Sequence, residues 1–192
     1  MIATAPLAPD RTALLLIDAQ EEHFIPGGPH ELPGGRAALW EAAELLAEVR
    51  RQGAHVVHVR HVGEDPVFDD FRPGGPGFDF RPEVSPVGHE PVIEKRACGA
   101  FDGTLLAERL EDLGIDTVVL AGFTSCGGCT ATAREALGRR LRTLVAADAT
   151  AAEAHGGVPP DDAHDRALTA QRRLGAEVLS AETIKSLLAG HG

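Results

Sequence analysis

Residues 117–136 read TVVLAGFTSCGGCTATAREA. An apolar, β-branched run ends at Gly122, a turn rich in small residues follows, and Cys129 to Ala136 carry a helical pattern. Strand, tight turn, helix is the prediction. The apolar run does not alternate with polar residues, which suits a strand covered on both faces and therefore a parallel sheet.

Runs of the same kind recur along the chain. They are TALLLID ending at Asp18, AHVVHV around Val57, EPVIEK ending at Lys95, RTLVAAD ending at Asp148, and AEVLS near Val178. Helical patterns lie between them. Residues 35–51 place Leu39, Ala43, Leu46 and Val49 on one stripe and leave Glu41, Glu44, Glu48 and Arg50 to water. Asp102 is placed to cap a helix whose Leu106, Leu110 and Leu113 face inward. Pro159 and Pro160 followed by Asp161 and Asp162 signal a helix start, with Ala167, Leu168 and Leu174 inward, and Ser180 is placed to cap a last helix through Leu188. Strands alternating with helices predict a three-layer, doubly wound α/β fold with a six-stranded parallel sheet, in one domain spanning 1–192. Such sheets bind ligands at the carboxyl ends of their strands, near the switch in strand order. The residues to inspect are therefore Asp18, His61, Lys95, Phe123 to Gly128, and Asp148.

The chain has 192 residues, 43% of them hydrophobic, and a net charge of −11. That size and composition support one full core, and the acidic balance argues against nucleic acid or an anionic membrane as partner. Three cysteines do not make a disulfide framework. No basic start with an export-length apolar stretch occurs, so a soluble, cytoplasmic protein is expected. Residues 62–90 break the strand–helix rhythm with Pro66, Pro73, Pro76, Pro82 and Pro86 and with Phe68, Phe71, Phe78 and Phe80. A connection of that length, bearing four phenylalanines, reads as a lid or a subunit contact.

The chemistry-bearing residues leave several routes open. Cys126 and Cys129 form C-x-x-C, a redox spacing that also sits at a helix start, where a thiolate is favoured. The motif lies deep in the chain rather than near its beginning, and Cys129 shares a helix face with Thr132, Ala133 and Ala136, which suits a structural thiol. A zinc site is weaker still, since Cys98 stands alone. Asp18 and Lys95 each end an apolar run, where a charge is costly unless paired or used. Placed at neighbouring strand ends, they would hold each other and shift both pKa values. The third strand end is glycine-rich and opens a helix, whose free N–H groups suit an anion or oxyanion.

Taken together, LLLIDAQEEHF (with Asp18, Gln20 and Phe24), EKRACGAFDGTLLAERLEDLGIDTVVLAGFT (with Lys95 and Phe101), TATAREAL and LVAADATA resemble the isochorismatase-like superfamily, also called cysteine hydrolases, over nearly the whole chain. The resemblance implies a six-stranded parallel sheet, homodimers or larger homo-oligomers, a small-molecule substrate, no cofactor, and a strand-end site of Asp, Lys and usually Cys. It also implies a non-proline cis peptide before the nucleophile, which falls on Phe123–Thr124. The positions it marks for substrate contact are Gln20, Phe24, Phe101, Phe123, Thr124 and Gly127, while Arg60, where the chain departs from the family's isochorismatases, is placed to serve an anionic substrate or simply the surface. The family's turn reads roughly G-x-x-T-x-x-C-V-x-x-T-A-R-D-A. Anchored on Gly122 and on Thr132 to Ala136, its nucleophile position falls on Gly128, two residues after Cys126 and one before Cys129.

Amidases of the family need that thiolate, with the Asp as base. Its isochorismatases are similar to this chain in carrying glycine there, and they hydrolyse a vinyl ether without a covalent enzyme intermediate. On that resemblance Asp18 is the general acid, Lys95 holds a substrate carboxylate or tunes Asp18, and Gly128 leaves space. The remaining readings are a cysteine-dependent amidase using Cys126 with Asp18 and Lys95, and a non-catalytic scaffold. The chain departs from the isochorismatases at FRPGGPGFDF (71–80), where they carry Trp-Gly-Pro-Gly, and at HVRHV, where they carry glutamine. His58 and His61 hint at a metal pair, but the nicotinamidase zinc pattern Asp-x-His falls on His61 and Gly63, so no metal is expected.

Overall fold

Six parallel strands form one sheet: β1 (Thr12–Ile17), β2 (His55–His61), β3 (Val92–Lys95), β4 (Thr117–Phe123), β5 (Arg142–Ala151) and β6 (Glu177–Leu179). Their order is β3-β2-β1-β4-β5-β6, so the direction of winding reverses between β1 and β4. The computed structural model describes residues 5–63, 70–154 and 156–190. Among them no helix is long and apolar enough to cross a membrane.

The unalternated runs are explained by the two layers of helix. Leu14 and Leu16 of β1 face α1 (Gly35–Arg51) and α5 (Ala181–Leu188), while Ala13, Leu15 and Ile17 face α2 (Leu106–Asp112), α3 (Thr130–Gly138) and α4 (Pro160–Leu174). Both faces of every central strand are therefore buried, as parallel sheets require.

Helix α1 has the bounds its periodicity predicts, and α4 begins at Pro160 with Asp161 and Asp162 in its first turn. The Ser180 hydroxyl accepts from the Thr183 N–H and caps α5, as expected. Three local expectations differ. Asp102 caps nothing; the Thr104 hydroxyl accepts from Leu106 N–H and opens α2 instead. Leu174 is 39% exposed at the end of α4 rather than inward. Arg50 does not simply face water, because its guanidinium pairs with Glu90 and donates to the Ser85 carbonyl, tying α1 to the segment before β3.

The switch between β1 and β4 is unusually close. Gly122 lies opposite Ile17, has φ +108°, and a Cβ there would run into the Ile17 carbonyl oxygen. Only glycine satisfies both the left-handed φ and the contact. β5 shifts register at the same level, between the partners of Leu120 and Gly122. Gly122→Ala should therefore destabilise the protein by about 3 kcal/mol in urea denaturation, the sum of overpacking and left-handed strain. Gly138→Ala, with nothing near the new methyl group, should cost nothing or stabilise slightly.

Candidate active site

The site is assembled where the winding reverses. At the end of β1 the chain turns at Asp18, whose φ of +46° is left-handed, an uncommon conformation that aspartate tolerates better than most residues. The Asp18 N–H still donates to the Val59 carbonyl of β2, so the turn starts from the sheet itself. At the end of β3, Lys95 reaches over β2, and its Nζ lies 2.7 Å from Asp18 Oδ2. Asp18 and Lys95 were expected on neighbouring strands. They are two strands apart, because β2 lies between β1 and β3.

That crossing brings in a residue the sequence marked as a strand end and a metal candidate but gave no part in the Asp–Lys pair. His61, the last residue of β2, has Nδ1 3.4 Å from Lys95 Nζ. The ammonium also donates to the carbonyls of Ala97 (3.2 Å) and Cys98 (3.1 Å). Its three N–H groups are thus committed within the protein. Both members of the ion pair are buried. Burial pushes the Asp18 carboxyl up to about 6, against the lowering pull of Lys95. Burial, with Lys95 beside the ring, brings His61 down to about 4. Asp18 Oδ1 is buried with no hydrogen-bond partner.

The third wall is the turn after β4. The Phe123–Thr124 peptide is cis, as the family resemblance implied. A π-helical turn, Ser125–Cys129, then runs into α3, with Thr124 Oγ1 accepting from the Gly127 N–H. The turn is held from behind by α4, which nothing in the sequence connects with it. His164 Nδ1 lies 3.0 Å from the buried Ser125 hydroxyl, and Gln171 Nε2 donates to the Ser125 carbonyl and to Thr130 Oγ1, each at 2.9 Å. The clamp fixes where Gly128 sits. A Cβ on Gly128 would lie 3.0 Å from Ile17 Cγ2, 3.2 Å from the Phe123 carbonyl oxygen and 3.3 Å from Asp18 Oδ2, so the position borders the carboxyl with little room to spare.

The cysteines point elsewhere. Cys129 is fully buried, its Sγ 3.5 Å from the Gly122 carbonyl, and burial pushes its thiol up. Cys126 is exposed, 3.6 Å from Thr124 Oγ1, and lines an apolar cavity of about 280 Å³ with Thr130, Val158, Ala163, Ala167 and Arg166. Neither is in a disulfide, and of the C-x-x-C pair one thiol is exposed and the other buried. Cys98 is exposed, its Sγ 4.0 Å from where a Cβ on Gly127 would lie.

Most residues expected to contact substrate are engaged by other groups of the protein. Gln20 is buried with its amide saturated: Nε2 donates to the His61 and Phe78 carbonyls, and Oε1 accepts from the His61 N–H. Phe24 packs edge-on to Phe123 and beneath the Arg81 guanidinium. Phe123 is fully buried, and Phe101 lies buried under Arg139. Arg60 is paired with Glu94 and stacked 4.2 Å over Phe78, so its charge is already met. Thr124 and Gly127 remain half-exposed at the turn. His58 faces away, bonded to Glu90 at 2.8 Å, and His61 is engaged with Lys95, so a zinc pair at this strand end does not fit. Among the described residues no His, Cys, Asp or Glu cluster is arranged to hold a metal ion.

Part of the 62–90 segment, residues 64–69 with Pro66 and Phe68, lies outside the described residues. The remainder folds onto the site as a wall. Phe80 bridges Gln20 in antiparallel fashion, Glu21 N–H donates to Asp79 and Arg81 N–H to Ala19. Phe71 is buried among the rings of His23, His30 and His61.

A sequence model of the isochorismatase domain matches residues 12–183, and the chain belongs to the isochorismatase-like hydrolases. It is 38% identical to maleamate amidohydrolase of Pseudomonas putida over 148 residues, 70% of each chain. It is 34% identical to streptothricin hydrolase of Streptomyces noursei over 139 residues, 72% of this chain and 54% of that one. The crystal structure of an isochorismatase from Pseudomonas putida superposes with a TM-score of 0.86 at 32% identity, covering 95% of this chain and 94% of its own. As a family hydrolase, the chain is an enzyme and not a scaffold.

The Asp18 carboxyl rises from its ordinary 3.8 to about 6, so the folded state favours the protonated form. Its contribution to stability is present below about 3.8 and is lost as the pH rises through about 6, a change of about 3 kcal/mol. Asp18→Asn removes this dependence. The stability of the wild type relative to that variant should fall by about 3 kcal/mol between about pH 3.5 and pH 7 in urea titrations, and a flat difference would contradict it.

Proposed function

We propose that this hydrolase works without a thiol, with Asp18 as general acid, on an enol (vinyl) ether or a similarly activated bond. The observation that carries the reading is the missing side chain at Gly128. A Cβ there would lie 3.3 Å from Asp18 Oδ2, with Ile17 Cγ2 at 3.0 Å and the Phe123 carbonyl oxygen at 3.2 Å, so this position of the turn borders the carboxyl in a tight space, and glycine leaves it bare. The neighbouring thiols of Cys126 and Cys129 are turned to the α4 cavity and to the core.

The roles then divide by atom. Lys95 fixes Oδ2, and with its N–H groups committed it tunes Asp18 rather than holding a substrate carboxylate. Oδ1, buried and unpartnered, carries the proton. A carboxyl raised to about 6 is a competent acid near neutrality. It protonates the terminal carbon of the enol ether, and water adds to the resulting oxocarbenium ion, returning a proton to Asp18. The hemiketal collapses to a ketone and an alcohol, so one water is consumed and no bond to the enzyme forms. Thr124 and Gly127, at the open side of the turn, are assigned to substrate contact.

A second reading, a cysteine-dependent amidase using Cys126 with Asp18 and Lys95, draws support from the amide-cleaving activity that the name maleamate amidohydrolase declares for a relative. The two differ in sign with pH. As an acid, Asp18 is active when protonated, so kcat/KM should fall about tenfold per unit above about pH 6; as a base it should rise to a plateau there. The test is a Cys98→Ser/Cys126→Ser double variant assayed for pyruvate release from carboxyvinyl ethers of the isochorismate type and for ammonia from a panel of primary amides. Pyruvate release within about twofold of wild type, with the falling profile, is expected. Ammonia release that vanishes in the variant, or a substrate-derived thioester on Cys126, would overturn the proposal.

A further inference from the structure

A run of contacts leads from the Asp18–Lys95 pair to His23 and Phe123. From Lys95 Nζ it passes to His61 Nδ1 at 3.4 Å, and from the His61 ring to Phe71 with centroids 5.2 Å apart. Phe71 meets His23 at 5.3 Å, and His23 meets Phe123 at 5.6 Å. The Phe123 carbonyl oxygen and Asp18 Oδ2 both border the place a Cβ on Gly128 would take. Four of these residues, Asp18, Lys95, Phe123 and Gly128, were expected at the site from the sequence, while His61 was singled out as a strand end and Phe71 as part of the 62–90 segment. His23, preceding the expected Phe24, was not singled out.

His23 is buried, and its tautomer follows from its neighbours. Nδ1 lies 3.3 Å from the His30 carbonyl oxygen, which can only accept, so Nδ1 carries the hydrogen. Burial holds the ring neutral, bringing it down to about 4, with His30, Lys95 and His61 as the charged or titratable groups that act on it. In a neutral imidazole with Nδ1 protonated, Nε2 is a bare acceptor. That atom is buried and has no hydrogen-bond partner in the protein. A buried acceptor without a donor is unfavourable, and native proteins seldom leave one unless something else meets it. His61 has the opposite arrangement: Nδ1 faces the Lys95 ammonium, so its neutral ring carries the hydrogen on Nε2.

We propose that His23 is a specificity-determining residue of this site, its Nε2 accepting a hydrogen bond from a hydroxyl or amide N–H on the substrate beside the bond that is cleaved. The inference rests on the Asp18 carboxyl being the reaction centre. It defines the substrate class further: the group lying against Phe71 and Phe123 is a neutral donor. A carboxylate there would set its lone pairs against that of Nε2, and a methyl ether would leave Nε2 unmet. Sites built around a hydrogen bond reject analogues that lack the matching group strongly, because the buried polar atom is then stranded.

The test uses binding, so that it is independent of the reaction. Phenol and anisole are neutral probes that differ in the donor. Titrated into the full-length protein with histidine ring nitrogens observed by 15N NMR, free His23 should show protonated Nδ1 and bare Nε2. Phenol should bind about tenfold or more tightly than anisole and should move the Nε2 resonance, whereas anisole should not. His23→Phe, which keeps an aromatic ring, should abolish the preference. Protonated Nε2 in the free protein, equal binding of the two probes, binding of neither, or an unchanged preference in the variant would overturn the proposal. Should the variant fail to fold, the wild-type tautomer and the Nε2 response still decide. A His23-dependent preference in a protein that releases no pyruvate from enol ethers would leave this inference standing while the proposed reaction fell.

Discussion

A buried ion pair that spans an intervening strand is the constraint around which the rest of this molecule is arranged. Taking a carboxylate and an ammonium out of water costs several kcal/mol each, and their attraction offsets this only when the geometry is good and the other polar atoms are met. Here Lys95 crosses the end of β2 to reach Asp18, and the Ala97 and Cys98 carbonyls and the His61 ring complete the ammonium's surroundings. The compensation is one-sided. Lys95 is fully engaged, while Asp18 keeps one oxygen without a partner. Stability alone would favour a second donor at that oxygen, and under the function proposed above the asymmetry falls on the reacting group.

Geometry at the winding reversal brings a further wall up to this pair. Gly122 allows β1 and β4 to approach at the level of Ile17, and the following turn then delivers Gly128 to the carboxyl. The clamp from α4, through His164 and Gln171, holds that turn from the far side. The three cysteines show how little sequence spacing alone determines. Cys126 and Cys129 stand three apart, yet one borders solvent and an apolar cavity while the other is sealed in the core. A single turn of π-helix separates them, and its wider winding sets the two thiols on different faces.

The sheet was legible because covering both faces of a strand leaves an unmistakable apolar run, and Asp18 and Lys95 were legible because each interrupts such a run with a charge. The helix starts at Pro160 and after the Ser180 cap could be read from equally local signals. What could not be read depends on which strand lies beside which. The spacing of Asp18 and Lys95 along the chain says nothing of β2 passing between them, and so nothing of His61 joining the pair. Arg60 and Phe24 carry suitable chemistry for a ligand, but Glu94, Phe78 and Arg81 claim them through contacts that form only on folding. His23 gave one usable signal, a histidine just after an acidic pair in the segment leaving β1. Its burial and lone pair belong to the tertiary structure.

Gln20 shows what such reassignment achieves. Its side-chain amide gives two N–H groups and takes one, meeting β2 at His61 and the outer segment at Phe78 as a peptide unit of an added strand would. The partition in front of Asp18 therefore gains the stiffness of a ladder, yet exposes no new row of unpaired backbone to other molecules. A single carboxamide, in a position that invites a chemical role, serves as masonry.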